Sequence, residues 1–206
     1  MTRPVFVLAH GAGVGQAHPF MQDWQARLAQ LGTVVPFEYP YMAMPGKRPP
    51  DRLPKLLARH REALQSARTA HPGAPVFLIG KSMGSRVGCH LANEPDLAGA
   101  ITGVICLGYP LQSPTTLRDE VLVALRVPIL FVQGTRDHLC PLELLESVRA
   151  RMSAPNALHV VAGGDHTLHL RVKDTLQLGT SQAAADEAAW GAVTAFVAGG
   201  ASPRWP

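Results

Sequence analysis

Apolar positions along the chain keep two rhythms in turn. Short, nearly continuous apolar runs at 5–9, 33–38, 75–79, 101–107, 128–132 and 157–161 read as strands, each bounded by turn residues. Between them, apolar residues recur at every third or fourth position, the spacing that lines one face of a helix. Phe20, Met21, Trp24, Leu28 and Leu31 form one such face, and Leu53, Leu56, Leu57, Leu64 and Ala67 another. Further helices are predicted over 83–93, through Leu142, Leu145, Val148 and Met152, and through Trp190, Val193 and Val197. The run at 101–107 is apolar almost throughout, as a strand covered on both faces must be. Strand and helix in alternation predict an α/β fold. Its mostly parallel sheet of about six to seven strands would carry helices on both faces.

Nothing in the pattern marks a second domain, so 1–206 is read as one. The segment at 110–126 has room for one helix near 116–125 and for no substantial lid. Composition narrows the class. With 47% hydrophobic and 17% charged residues the chain can bury a core, and 19 Gly with 18 Pro supply the many turns such a fold needs. The net charge of +4 is scattered, without basic runs or interleaved aromatics, which argues against nucleic acid as a partner. No apolar stretch reaches the roughly 18 residues of a membrane span. The longest, 121–132, is broken by Arg126 and Pro128. Three cysteines, Cys89, Cys106 and Cys140, form no C-x-x-C pair and no even framework, which predicts a reducing, cytoplasmic setting.

Parallel sheets place their chemistry at the carboxyl ends of the strands. There stands Gly80-Lys81-Ser82-Met83-Gly84, the G-x-S-x-G pattern of a nucleophile elbow, with a strand before it and a helix after it. A serine hydroxyl is a weak nucleophile that needs a base, and the base needs an orienting carboxylate. Gln133-Gly134-Thr135-Arg136-Asp137 follows the fifth strand and Gly163-Gly164-Asp165-His166 the sixth. The chain order Ser82, Asp137, His166 is the order used with this elbow. The glycine-rich turn His10-Gly11-Ala12-Gly13 after the first strand offers a second oxyanion donor, so the amides of Ala12 and Met83 are the candidate hole.

These residues resemble the α/β-hydrolase fold, in its small lidless branch near dienelactone hydrolase. Leu8-Ala9-His10-Gly11-Ala12-Gly13, Glu38-Tyr39-Pro40-Tyr41-Met42, Gly46-Lys47-Arg48-Pro49-Pro50-Asp51-Arg52, Gly80-Lys81-Ser82-Met83-Gly84 and Gly134-Thr135-Arg136-Asp137 are similar to the group containing testis-expressed protein 30 and a subunit of the nonspecific-lethal chromatin complex. The resemblance implies a catalytic triad of Ser82, Asp137 and His166 and a serine esterase activity. It also admits a protein partner, since some relatives serve in assemblies. The group often has a second glycine after the elbow, where this chain has Ser85.

Other residues have plainer readings. His10 is expected to brace the loop that follows it, and Asp165, adjoining His166, to be a turn residue. His138, His159 and His169 lack a metal-binding spacing, so no metal and no cofactor is expected. Cys140 reads as a bystander thiol. Lys81, Arg86, Arg48 and Arg52 are either solvated or placed to meet an anionic substrate, while Tyr39, Tyr41, Met42 and Met44 either line an acyl pocket or pack in the core. Tyr41 and Arg48 are the candidate substrate-binding residues. The sequence thus points to a serine hydrolase for a small-molecule ester or thioester. The alternative is a non-enzymatic protein-interaction module on the same scaffold.

Overall fold

In a computed structural model, describing residues 2–44, 46 and 48–199, the apolar runs assemble into one sheet. In chain order the elements are β1 (Val5–Ala9), α1 (Pro19–Leu31), β2 (Thr33–Phe37), α2 (Leu53–Ala70), β3 (Val76–Lys81), α3 (Met83–Ala92), β4 (Gly103–Leu107), β5 (Gln112–Ser113), β6 (Thr116–Leu117), α4 (Glu120–Val123), β7 (Ile129–Gly134), α5 (Leu142–Arg149), β8 (Asn156–Val161), α6 (Val172–Leu178) and α7 (Gln182–Gly199). Lys47 of the resemblance motif and the two ends of the 1–206 span lie outside the described residues.

Six strands, all parallel, run in the order β2-β1-β3-β4-β7-β8. Side chains alternate across a strand, so consecutive residues feed opposite cores. Val5, Val7, Leu78, Val104 and Phe131 join α2, α3 and α5 on one face. Phe6, Leu8, Ile79, Ile105 and Leu130 join α1 and α7 on the other. Burying each such side chain fully is worth about 1.5–3 kcal/mol, so the two cores fix the register of the sheet. Register then aligns the strand ends: Ala9 lies opposite Gly80, Lys81 opposite Leu107, and Gly134 opposite Val161. The loops after β1, β3, β7 and β8 therefore open on one edge.

One expectation needs correction, and one element was not anticipated. The segment predicted as a helix over 116–125 begins instead as the β5–β6 hairpin, and α4 is a single turn of Glu120–Val123. The hairpin forms because Thr116 and Leu117 face out, with no core beneath them to reward a helical face. The seven-residue α6 was not legible either. Its apolar Val172 and Leu176 stand 77% and 79% exposed, and its one buried side chain is Asp174, so no apolar stripe announces it. Between β4 and β7 stand β5, β6 and the single turn of α4, a connection too short for a substantial lid.

Candidate active site

β3 delivers Ser82 into a backbone conformation of φ 51°, ψ −113°, beyond the last residue of the strand and at the N-cap of α3. A non-glycine residue at positive φ is strained, and the strain persists only because both flanking elements are anchored. Ser82 N–H donates to the Leu107 carbonyl at 3.1 Å, and the Ser82 carbonyl accepts from Arg86 N–H at 3.2 Å. Ser85 is buried, and its hydroxyl donates to the Gly80 carbonyl across the turn.

The segment 162–171 carries His166 to this turn. Its imidazole Nε2 lies 2.8 Å from Ser82 Oγ, and its Nδ1 lies 2.7 Å from Asp137 Oδ2. A carboxylate only accepts, so Nδ1 holds the proton and Nε2 is left as acceptor toward the serine hydroxyl. Asp137 is held in turn: Leu139 N–H donates to its Oδ1 at 2.9 Å and Gln133 Nε2 to its Oδ2 at 2.5 Å. The side chain of Asp137 is fully buried, whereas that of His166 keeps 20% of its surface open to solvent. The three residues thus form one continuous relay from a buried carboxylate to an accessible hydroxyl.

Close backbone approach makes this possible at Gly134. A Cβ there would stand 2.2 Å from the Gly164 carbonyl oxygen and 2.7 Å from that of Asp165, so any side chain would push the His166 segment away. Asp165 is the turn residue: its Oδ1 accepts from Thr167 N–H at 2.7 Å and His169 N–H at 3.1 Å.

Met83 opens α3, and the first amides of a helix have no intrahelical acceptor, which leaves its N–H toward the elbow. The loop after β1 is braced as expected of His10, which is wholly buried. His10 Nδ1 donates to the Gly11 carbonyl at 2.7 Å and Nε2 accepts from Tyr39 N–H at 3.1 Å, with Glu38 Oε2 beside it at 3.0 Å. Burial depresses the pKa of His10, favouring this neutral form. Tyr41 hydroxyl donates to the carbonyls of Gly11 and Ala12 at 3.3 and 3.0 Å. A trans peptide sets N–H opposite C=O, so holding the Gly11 carbonyl against His10 and Tyr41 turns the Ala12 N–H the other way. The Tyr41 phenol, pushed up to about 12 by burial, remains a neutral donor.

Tyr41, Met42, Gly46 and Arg48 line a cavity of about 370 Å³ with Ala12 and Gly13. Tyr39 by contrast is a core residue, its hydroxyl on His60, and Met44 and Arg52 face solvent. A second hollow of about 470 Å³ lies between α1, α7 and the Thr167–His169 stretch. Cys140 is buried, and burial raises its thiol to about 12, which fits a bystander.

Two residues of the site were not legible in the sequence. Gln133 is buried at the end of β7, where its Oε1 accepts from Tyr109 N–H at 2.9 Å while its Nε2 serves Asp137. A lone polar residue closing an apolar strand was its only signal. Lys81 departs from the solvated reading: it is 5% exposed, with Nζ donating to the His166 carbonyl at 2.6 Å.

A family model described as an alpha/beta hydrolase domain matches residues 2–197. Among solved structures, an esterase from Pyrococcus furiosus superimposes with a TM-score of 0.72 at 14% identity, covering 98% of this chain and 84% of that one. Dienelactone hydrolase from Anabaena variabilis gives 0.67 at 16% identity over 92% and 85% of the two chains. Est1E from Butyrivibrio proteoclasticus, bound to ferulic acid, gives 0.67 at 16% over 94% and 90%. At such identities the likeness is one of fold.

Proposed function

Because the chain belongs to the alpha/beta hydrolase domain family, we propose that it is a serine hydrolase that cleaves a small ester or thioester through an acyl-enzyme on Ser82. The observation that carries this reading is the unbroken relay from Asp137 through His166 to Ser82, at 2.7 and 2.8 Å. In it, Nε2 of His166 takes the serine proton as Oγ attacks the substrate carbonyl, and Asp137 stabilises the imidazolium that forms. The amides of Ala12 and Met83 receive the oxyanion. His166 returns the proton to the leaving group, and water, activated by the same nitrogen, releases the acid.

The size of the cavity beside Ala12, about 370 Å³, favours a short acyl group, as does the short β4–β7 connection. Within the family, the resemblance of the motifs around Ser82 and Tyr41 to the testis-expressed protein 30 group supports a place near it, and the three free, buried cysteines support a cytoplasmic setting. Turnover of p-nitrophenyl acetate by the wild type and by Ser82→Ala tests the proposal. Loss of about 10³-fold or more in Ser82→Ala is expected. Equal rates, with stable retrieval of a protein partner, would replace it with the interaction-module reading.

A further inference from the structure

Lys81 sits at the last position of β3, next to the nucleophile, where a buried ammonium costs several kcal/mol unless it is well partnered. Simple packing would be served better by Met or Leu. Its stem passes Gly11, where an added Cβ would meet Lys81 Cγ at 3.5 Å, and its Nζ ends 2.6 Å from the His166 carbonyl oxygen and 5.9 Å from the Phe20 ring centroid. Gly108 keeps this contact open. A Cβ at that position would lie 2.6 Å from the His166 carbonyl oxygen and 3.2 Å from Nζ.

Two consecutive residues therefore grip one histidine at both ends, Ser82 at the ring and Lys81 at the backbone. We infer that Lys81 is a positioning residue whose ammonium clamps the His166 segment to the nucleophile elbow and sets the serine–imidazole distance. The inference rests on the hydrolase reading above. The segment needs such a tie at its middle, because 162–171 is loop: Thr135 and Arg136 hold the backbone of Gly163 and Gly164, Gln182 holds that of Leu168 and Leu170, and the Asp165 turn orders the segment internally, whereas His166 has its backbone carbonyl held by Lys81.

The ionisable groups facing Nζ are Asp137 beyond β7, and Asp165 and His166 of the segment itself, while α1 presents Phe20 and the β1 loop Gly11. Desolvation outweighs the two carboxylates and brings the ammonium down to about 8. The charge-assisted bond is then complete below that pH and weakens above it.

The test compares wild type with Lys81→Met, which keeps the stem and removes the charge. The variant is expected to lose 10- to 100-fold in kcat for p-nitrophenyl acetate, as about 1 Å of misplacement does, with KM changed less than about 2-fold and Tm not lowered. The wild type should also lose kcat as pH rises through about 8, and this alkaline limb should be missing in the variant. A readout independent of turnover is the far-downfield Nδ1–H proton resonance of His166, assigned by its absence in His166→Gln and expected to broaden away in Lys81→Met. Wild-type kcat, limb and resonance in Lys81→Met overturn the clamp. If the wild type shows no hydrolysis at all, the hydrolase reading has failed, and the resonance alone decides whether Lys81 holds His166. Should Lys81→Met not fold, Lys81→Gln, neutral and too short to reach, is read the same way. A flat wild-type kcat between about pH 7 and 10 overturns the role of the charge without any variant.

Discussion

Gln133 shows how much one amide can settle. It satisfies a buried N–H of Tyr109 on one side and fixes the orienting oxygen of Asp137 on the other. Gln133→Leu keeps the volume and removes both bonds, leaving buried polar groups without partners at about 1–3 kcal/mol. Its Tm should fall, and kcat should drop about 10-fold as Asp137 gains freedom. Unchanged kcat in urea-free buffer would show that Leu139 N–H alone holds Asp137. Gly134→Ala makes a related case through bulk, since its methyl would meet the Gly164 carbonyl at 2.2 Å. A cost of about 1–3 kcal/mol by chemical denaturation is expected, with kcat falling further than stability predicts because His166 is carried off its serine.

Among the elements, α2 is where pH should be felt. Leu56, His60, Ala63, Leu64 and Ala67 lie on its buried face, and His60 is wholly enclosed, with Nδ1 3.2 Å from the Tyr39 hydroxyl and Nε2 without a hydrogen-bond partner among the described residues. Burial holds the imidazole down to about 3. A group depressed in this way adds stability that is fully present above its unfolded value of 6.5 and is lost as pH falls from 6.5 toward about 3. Urea midpoints should therefore decline below pH 6.5 in the wild type and decline less in His60→Leu. Parallel pH profiles in the two proteins would remove His60 as the cause. α6 answers to a different group, Asp174, which binds Arg171 and Arg136 at 2.7 and 2.9 Å and is held at about 2 chiefly by the Arg171 bond. Its contribution is complete above the usual carboxylate range and disappears as pH falls toward 2, so Asp174→Asn should differ from wild type at pH 6 and converge with it in acid.

At the scale of the whole molecule, the six strands were legible because parallel strands buried on both faces must be apolar nearly throughout, as Val104 to Leu107 are. Ser82, Asp137 and His166 were legible because each follows its own strand. What escaped notice lacked such a period: α6 buries an aspartate in place of an apolar stripe, β5 and β6 are two residues each, and Lys81 and Gln133, just past the apolar runs at 75–79 and 128–132, are buried polar side chains whose partners lie on distant segments. One sheet with a core on each face should also unfold as one unit. Trp24 of α1 and Trp190 of α7 pack edge to face at 6.4 Å, so tryptophan fluorescence and far-ultraviolet circular dichroism should give coincident transitions. Separated midpoints would divide the chain into two units. The central claim is that this scaffold brings Ser82 to reactivity. It is tested most directly by treating the folded protein with a fluorophosphonate and mapping the adduct by mass spectrometry. Stoichiometric labelling on Ser82, abolished by His166→Gln and by prior denaturation, is the predicted result; an unlabelled Ser82 in folded protein, or an adduct elsewhere, would contradict it.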